Sequence, residues 1–202
     1  MGRVIKLAGG GGTTSGSGGV SSSDVTTLIT TNTPWQYIET VTASNSSQLD
    51  LTNSNISNHD SFLIQFDNVT FSSMTNARMQ LFLNGALRTD SSYHSSCQMG
   101  STTSGTNTGI GSFSGGWIYG GQTYNWQYNI CGPMYVNGKA GDRKTAASHL
   151  GAANSGNGAM RSSFGGNYNG ENSASITGFR FYNATGTIES GQFHLYGLNK
   201  HD

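Results

Sequence analysis

Apolar and polar residues alternate nearly one for one along most of this chain beyond residue 34, and the three-to-four spacing of an amphipathic helix is almost absent. The alternating segments are 35–42, 48–52, 62–69, 79–84, 93–99, 112–119, 123–132, 134–136, 160–168, 175–182 and 188–198, and each predicts a short β-strand bounded by Gly, Asn or Ser. The period is clearest at the C-terminal end. Phe179 and Phe181 alternate with Arg180 and Tyr182, Asn183-Ala184-Thr185-Gly186 supplies a turn, and Phe193 and Leu195 then oppose Gln192, His194 and Tyr196 across a pleated strand. Residues 145–153 are the best helical alternative, but they are too few and too polar to change the class.

These elements predict an all-β chain, an antiparallel β-sandwich of jelly-roll type with a Gly-rich N-terminal extension. The sandwich occupies residues 34–202, long enough to bury roughly 70% of its unfolded surface. Residues 1–33 read as an N-terminal attachment peptide and a Gly/Ser/Thr-rich linker. The peptide sets Arg3 and Lys6 among Val4, Ile5 and Leu7, and these five are the anchoring candidates. Glycine pays the largest conformational cost on ordering, so a run with seven glycines between Gly9 and Gly19 takes a fixed path only where something outside it holds it.

Charge, rather than hydrophobicity, is the unusual quantity. Only 10% of residues are Asp, Glu, Lys or Arg, against about 25% in ordinary domains. Gly, Ser, Thr and Asn together make 99 of the 202 residues, so hydroxyls and amides must form most of the polar surface. With a formal net charge of zero, little repulsion keeps copies apart, which suits a resident of a larger assembly. The even balance also argues against nucleic acid as a partner, because phosphate neutralisation needs clustered Lys and Arg. No apolar run approaches the length of about 20 residues that a membrane-spanning helix requires, and the first eight residues lack the form of a signal peptide, so membrane insertion is not expected.

The C-terminal strand carries a resemblance. Gly191-Gln192-Phe193-His194-Leu195-Tyr196-Gly197-Leu198 resembles the closing strand of β domains in tailed-bacteriophage structural proteins, and 41–51, 61–69 and 79–85 resemble their preceding strands in order. The resemblance implies a non-enzymatic virion component of tail-fibre, tail-tip or head-surface type, assembled in the host cytoplasm, bound to other virion proteins and commonly trimeric. It implies no catalytic residue, cofactor or metal.

Two further signals bear on function. Trp117, Tyr119, Tyr124, Trp126, Tyr128 and Tyr135 crowd six aromatics into 19 residues beside several amides. The stronger reading is a core strand; the alternative is a carbohydrate-binding host-receptor module using Trp117, Tyr119, Gln122, Asn125 and Trp126, whose rings would stack on a host surface glycan. Cys97 and Cys131, with no Cys-x-x-Cys spacing, read as two thiols rather than a zinc site or a disulfide framework, although a single bridge stays open. The five histidines are scattered, and His59-Asp60 reads as a loop pair rather than part of a catalytic triad.

Overall fold

The computed structural model describes residues 34–72, 77–101, 105–113, 115–120, 128–154 and 158–198. In chain order the strands are β1 (Trp35–Thr42), β2 (Gln48–Leu51), β3 (Ser61–Phe71), β4 (Ala77–Leu83), β5 (Ala86–Leu87), β6 (Tyr93–Ser101), β7 (Gly105–Phe113), β8 (Trp117–Gly120), β9 (Tyr128–Asn137), β10 (Lys144–Asn154), β11 (Gly158–Tyr168), β12 (Ile176–Asn183) and β13 (Ile188–Leu198); a 3-10 turn, Ser54–Asn58, joins β2 to β3. All strand pairs are antiparallel. They form an eight-stranded sheet in the order β1-β13-β3-β9-β10-β11-β6-β7 and a five-stranded one in the order β2-β12-β4-β5, with β8 also paired to β4.

The sequence makes strands here because one set of alternate side chains is apolar enough to bury. In β3, Phe62, Ile64 and Phe66 are fully buried while Leu63 and Gln65 between them are only half-buried. These side chains meet the inner face of the second sheet: Phe66 lies 5.5 Å from Phe181 and Phe62 5.2 Å from Phe179 between ring centroids, while Phe193 of the neighbouring strand β13 stands 4.9 Å from Phe66 within the same sheet. Tilted and edge-on pairs of this kind add about 0.5–1.5 kcal/mol each beyond their buried area. The protein is therefore an all-β, antiparallel sandwich.

A second aromatic cluster lies under the extended half of the larger sheet. Tyr93 of β6 packs edge-on against Trp117 of β8 at 5.5 Å and against Tyr168 of β11 at 4.7 Å. Each polar tip finds a partner, as burial requires. The Trp117 indole donates to the Asn167 carbonyl at 2.8 Å, Tyr168 donates to Asp90, and the Tyr93 hydroxyl donates to the Arg88 carbonyl while accepting from the Leu81 amide.

Several sequence expectations need correction. Residues 145–153, the helical alternative, belong to the eleven-residue strand β10, in which Lys144, Ala146, Ser148 and Leu150 are buried and Thr145, Ala147 and His149 exposed. Segment 112–119 is not one strand: β7 ends at Phe113 in the larger sheet and β8 begins at Trp117 in the smaller. Conversely, the pieces 123–132 and 134–136 meet in the single strand β9, continuous through Gly132-Pro133. Residues 1–33 lie outside the described residues, and with them the anchoring candidates Arg3, Val4, Ile5, Lys6 and Leu7.

Lys144 opens β10 with its side chain buried. Its ammonium donates to the carbonyls of Lys139, Asp142 and Asn172 at 3.0, 3.0 and 2.7 Å, using all three protons and tying the β9–β10 loop to the β11–β12 connection. Burial holds this ammonium below the usual lysine range, with Asp142, Asp60 and Glu171 opposing the shift.

Candidate interaction surface

The two sheets present different outer faces. On the smaller one the exposed side is polar: Asp50 clasps the Arg180 guanidinium through two bonds of 2.7 and 2.6 Å, and Tyr182 donates to the Gly115 carbonyl. On the larger one, register brings Tyr37, Tyr196, Leu63, Tyr135 and Ala147 into a single row across β1, β13, β3, β9 and β10. Tyr37 is 57% and Tyr135 47% exposed, unusual for rings in a well-buried sandwich. The rings also touch their neighbours. Tyr37 meets Tyr196 edge-on at 5.8 Å, and Trp35 reaches across to Tyr135 at 6.3 Å.

This row and the rows on either side of it carry no formal charge. Ser61, Asn137, Thr145 and Asn167 stand in register on one side, and Thr40, His194, Gln65 and Pro133 on the other. Between Trp35 and Tyr135 a shallow groove of 280 Å³ is lined by Ser61, Asn137, Thr145 and Ala147. Within these three rows water has no ionic group to solvate, while several aromatic edges lie exposed. Such a surface favours contact with another uncharged surface.

The same face holds an alignment of hydroxyl, imidazole and carboxylate. Thr40 Oγ1 lies 2.7 Å from His194 Nδ1, while His194 Nε2 lies 4.0 Å from Asp67 Oδ2. The second distance exceeds the 2.6–3.2 Å or so over which a carboxylate orients a catalytic imidazole. His59 lies in the short connection between the 3-10 turn and β3, as a loop residue, with its ring buried against Phe62 and Nδ1 at 3.1 Å from the Leu198 carbonyl. Among the described residues no three His, Cys, Asp or Glu side chains gather as a metal site, and no helix is long and apolar enough to cross a membrane.

Of the residues the sequence singled out for glycan binding, Trp117 and Tyr119 are wholly buried and offer no ring face to a sugar. The reason is topological: β8 lies in the smaller sheet and is roofed by β6 and β11 of the larger one, so the rings fill the interior. Gln122, Asn125 and Trp126 lie outside the described residues. Cys97 and Cys131 are both free thiols; Cys97 is buried beside the Ser162 hydroxyl at 3.3 Å, and Cys131 accepts from the Asn68 amide at 3.4 Å.

Trp35, Tyr37, Tyr135 and Tyr196 were not assigned as site residues from sequence. The period does give part of the signal, since Tyr196 falls opposite Phe193 and Leu195 and Tyr37 is two residues from Trp35. What it lacks is the strand order that sets β1, β13, β3 and β9 side by side. No protein-family model, curated protein or solved structure matches this chain.

Proposed function

We propose that this chain is a non-enzymatic structural component of a phage virion, of tail-fibre, tail-tip or head-surface type. It is anchored by its N-terminal peptide and self-associates as a trimer through the outer face of the eight-stranded sheet. The observation that carries this reading is the uncharged row Tyr37, Tyr196, Leu63 and Tyr135 on a chain whose overall charge is already low. The C-terminal motif 191–198 supports the virion assignment and the trimer.

Strand pairing supports a jelly roll. In chain order β1, β2, β3, β4, β8, β9, β12 and β13 pair first with last, second with seventh, third with sixth and fourth with fifth. The last then lies beside the third, and the seventh beside the fourth. One long antiparallel hairpin rolled into two sheets has this pairing. Strands β5 to β7 and the hairpin β10–β11 are then insertions, and β10, β11, β6 and β7 widen one sheet beyond β9.

Light scattering tests the self-association. The full chain is expected to have the mass of three copies, and a Tyr37→Ser/Tyr135→Ser double variant, exposed at both positions and therefore still folded by circular dichroism, the mass of one. A monomeric parent protein, or a trimer indifferent to the double change, overturns the interface. Deleting residues 1–19 is expected to remove the protein from assembled particles while leaving the sandwich folded, and normal incorporation overturns the anchoring role.

A further inference from the structure

On the smaller sheet's outer face, the end bearing the β2–β3 connection and the β4–β5 turn carries a groove of 440 Å³, lined by Thr52, Asn53, Ser54, Ser57, Phe82 and Thr177, with Gly85 at its rim. Its volume falls within the range of small-ligand sites. We propose that this groove binds an uncharged pyranose sugar, with Phe82 as the stacking ring. The proposal stands on the geometry of the groove and does not require the chain to be a virion component.

The aromatic wall is fixed before any ligand arrives. Phe82 pairs in register with Gly178 of β12, and the Phe82 and Thr52 side chains close over that position, each 3.1 Å from where a Cβ would sit. The Arg180 guanidinium lies 5.4 Å from the Phe82 ring centroid and is itself held by both oxygens of Asp50. A ring clamped in this way loses little freedom on stacking, which spares part of the ordering cost of binding.

The polar rim complements hydroxyl groups. Thr52 Oγ1, Ser54 Oγ and the Asn53 side-chain amide nitrogen make no hydrogen bond within the described residues, whereas Asn53 Oδ1 accepts from the Asn55 amide at 3.0 Å. Ser57 donates to the Ser54 carbonyl at 3.0 Å and keeps its acceptor capacity. Thr177 is spent, accepting from Gly85 and donating to the Phe82 carbonyl, so it shapes the wall. Free donors and acceptors thus sit beside an apolar ring, matching a molecule with one C–H face and an edge of hydroxyls. No charged side chain lines the groove, and the adjacent cation is committed to Asp50, which favours a neutral sugar over a uronate or sialylated one.

An amide chemical-shift titration on the full chain tests this, using neutral glucose-, galactose- and mannose-containing oligosaccharides, with polygalacturonate as the charged control. Saturable shifts confined to 52–57, 82–85 and 177 are expected with at least one neutral sugar and not with the control. Phe82→Ala is expected to weaken binding at least about tenfold, the loss of roughly one stacking contact. Ser54→Arg, at an exposed rim position, is expected to block binding while leaving the spectrum of the sandwich intact. Absence of shifts with every neutral sugar, equal response to the control, or shifts centred on Trp35 and Tyr135 would each overturn the proposal. The mass measured by light scattering is a separate readout, so failure here does not touch the self-association reading.

Discussion

At Gly191 the backbone holds a φ of +102°, and a Cβ there would sit 2.5 Å from Val69 Cα and 2.6 Å from the Asn68 carbonyl oxygen. Both contacts are with backbone in the paired strand β3, so no rotamer change relieves them. Gly191→Ala therefore combines left-handed strain with overpacking, and a loss of at least about 2 kcal/mol is expected in urea denaturation. Gly85 offers the contrast. Its φ is +82° in the Asn84-Gly85 turn between β4 and β5, but a Cβ there meets nothing within 4 Å, so Gly85→Ala should cost only about 1 kcal/mol. Ionisable groups give a second residue-scale prediction. Burial pushes the Tyr168 hydroxyl up to about 12, and raises those of Tyr93 and Tyr119 above the usual tyrosine range. The folded state therefore keeps protons that the unfolded state releases near pH 10. Stability from these groups is complete below that pH and declines as pH rises from there through the folded values. In an alkaline titration, phenolate absorbance from three of the nine tyrosines should appear only as near-ultraviolet circular dichroism collapses. Full ionisation ahead of that collapse would contradict their burial.

Strand β10 shows what an element's sequence reveals and what it hides. Its inward positions are Lys144, Ala146, Ser148 and Leu150, a set with no apolar majority, so the alternation of burial leaves almost no trace in hydropathy. Strand β13 is legible for the opposite reason: Phe193 and Leu195 fill its inner face while Gln192, His194 and Tyr196 lie outside. Strand β7, Gly105–Phe113, pairs with β6 among the described residues, and with Ile110 and Phe113 as its large apolar residues its sequence shows no sustained alternation and predicts little. The candidate surface divides in the same way. That Tyr196 points away from the core follows from period alone, but its place beside Tyr37 and Leu63 depends on pairings between residues far apart in the chain. Burial of Trp117 agrees with the stronger reading of its segment as core; what the sequence does not show is that strands β6 and β11 of the opposite sheet form the roof over β8. Lys144 gives the element-scale prediction. Lys144→Met keeps the side-chain stem but leaves three carbonyls without their common donor, and about 1–3 kcal/mol should be lost. Amide exchange should accelerate first in 138–143 and 169–175, the segments that the ammonium joins. Uniform acceleration through β3 and β13 would mean that Lys144 supports the whole sandwich instead.

For the whole molecule, the physical question is what force would hold copies together. With 10 basic and 10 acidic residues in 202, and none of them in the row from Tyr37 to Ala147 or the two rows flanking it, Coulomb attraction has little to act on across that face. Removal of aromatic and aliphatic surface from water remains, and its dependences differ from those of ion pairing. Salt screens exposed charges over about 8–10 Å at 0.10–0.15 M, so a charge-driven oligomer weakens as salt rises. Excluded salts such as sulfate strengthen apolar contact, and cooling weakens it. The proposed trimer is therefore expected to keep its dissociation constant as sodium chloride is raised, to tighten in sodium sulfate, and to loosen on cooling toward the freezing point. Analytical ultracentrifugation across those conditions measures all three. Steep weakening in sodium chloride would assign the association to charged groups elsewhere on the molecule and remove the aromatic face from the interface. Tyr135→Lys provides the matching local test: it sets a charge in the middle of that face, and burying it unpaired should hold the protein monomeric at every salt concentration.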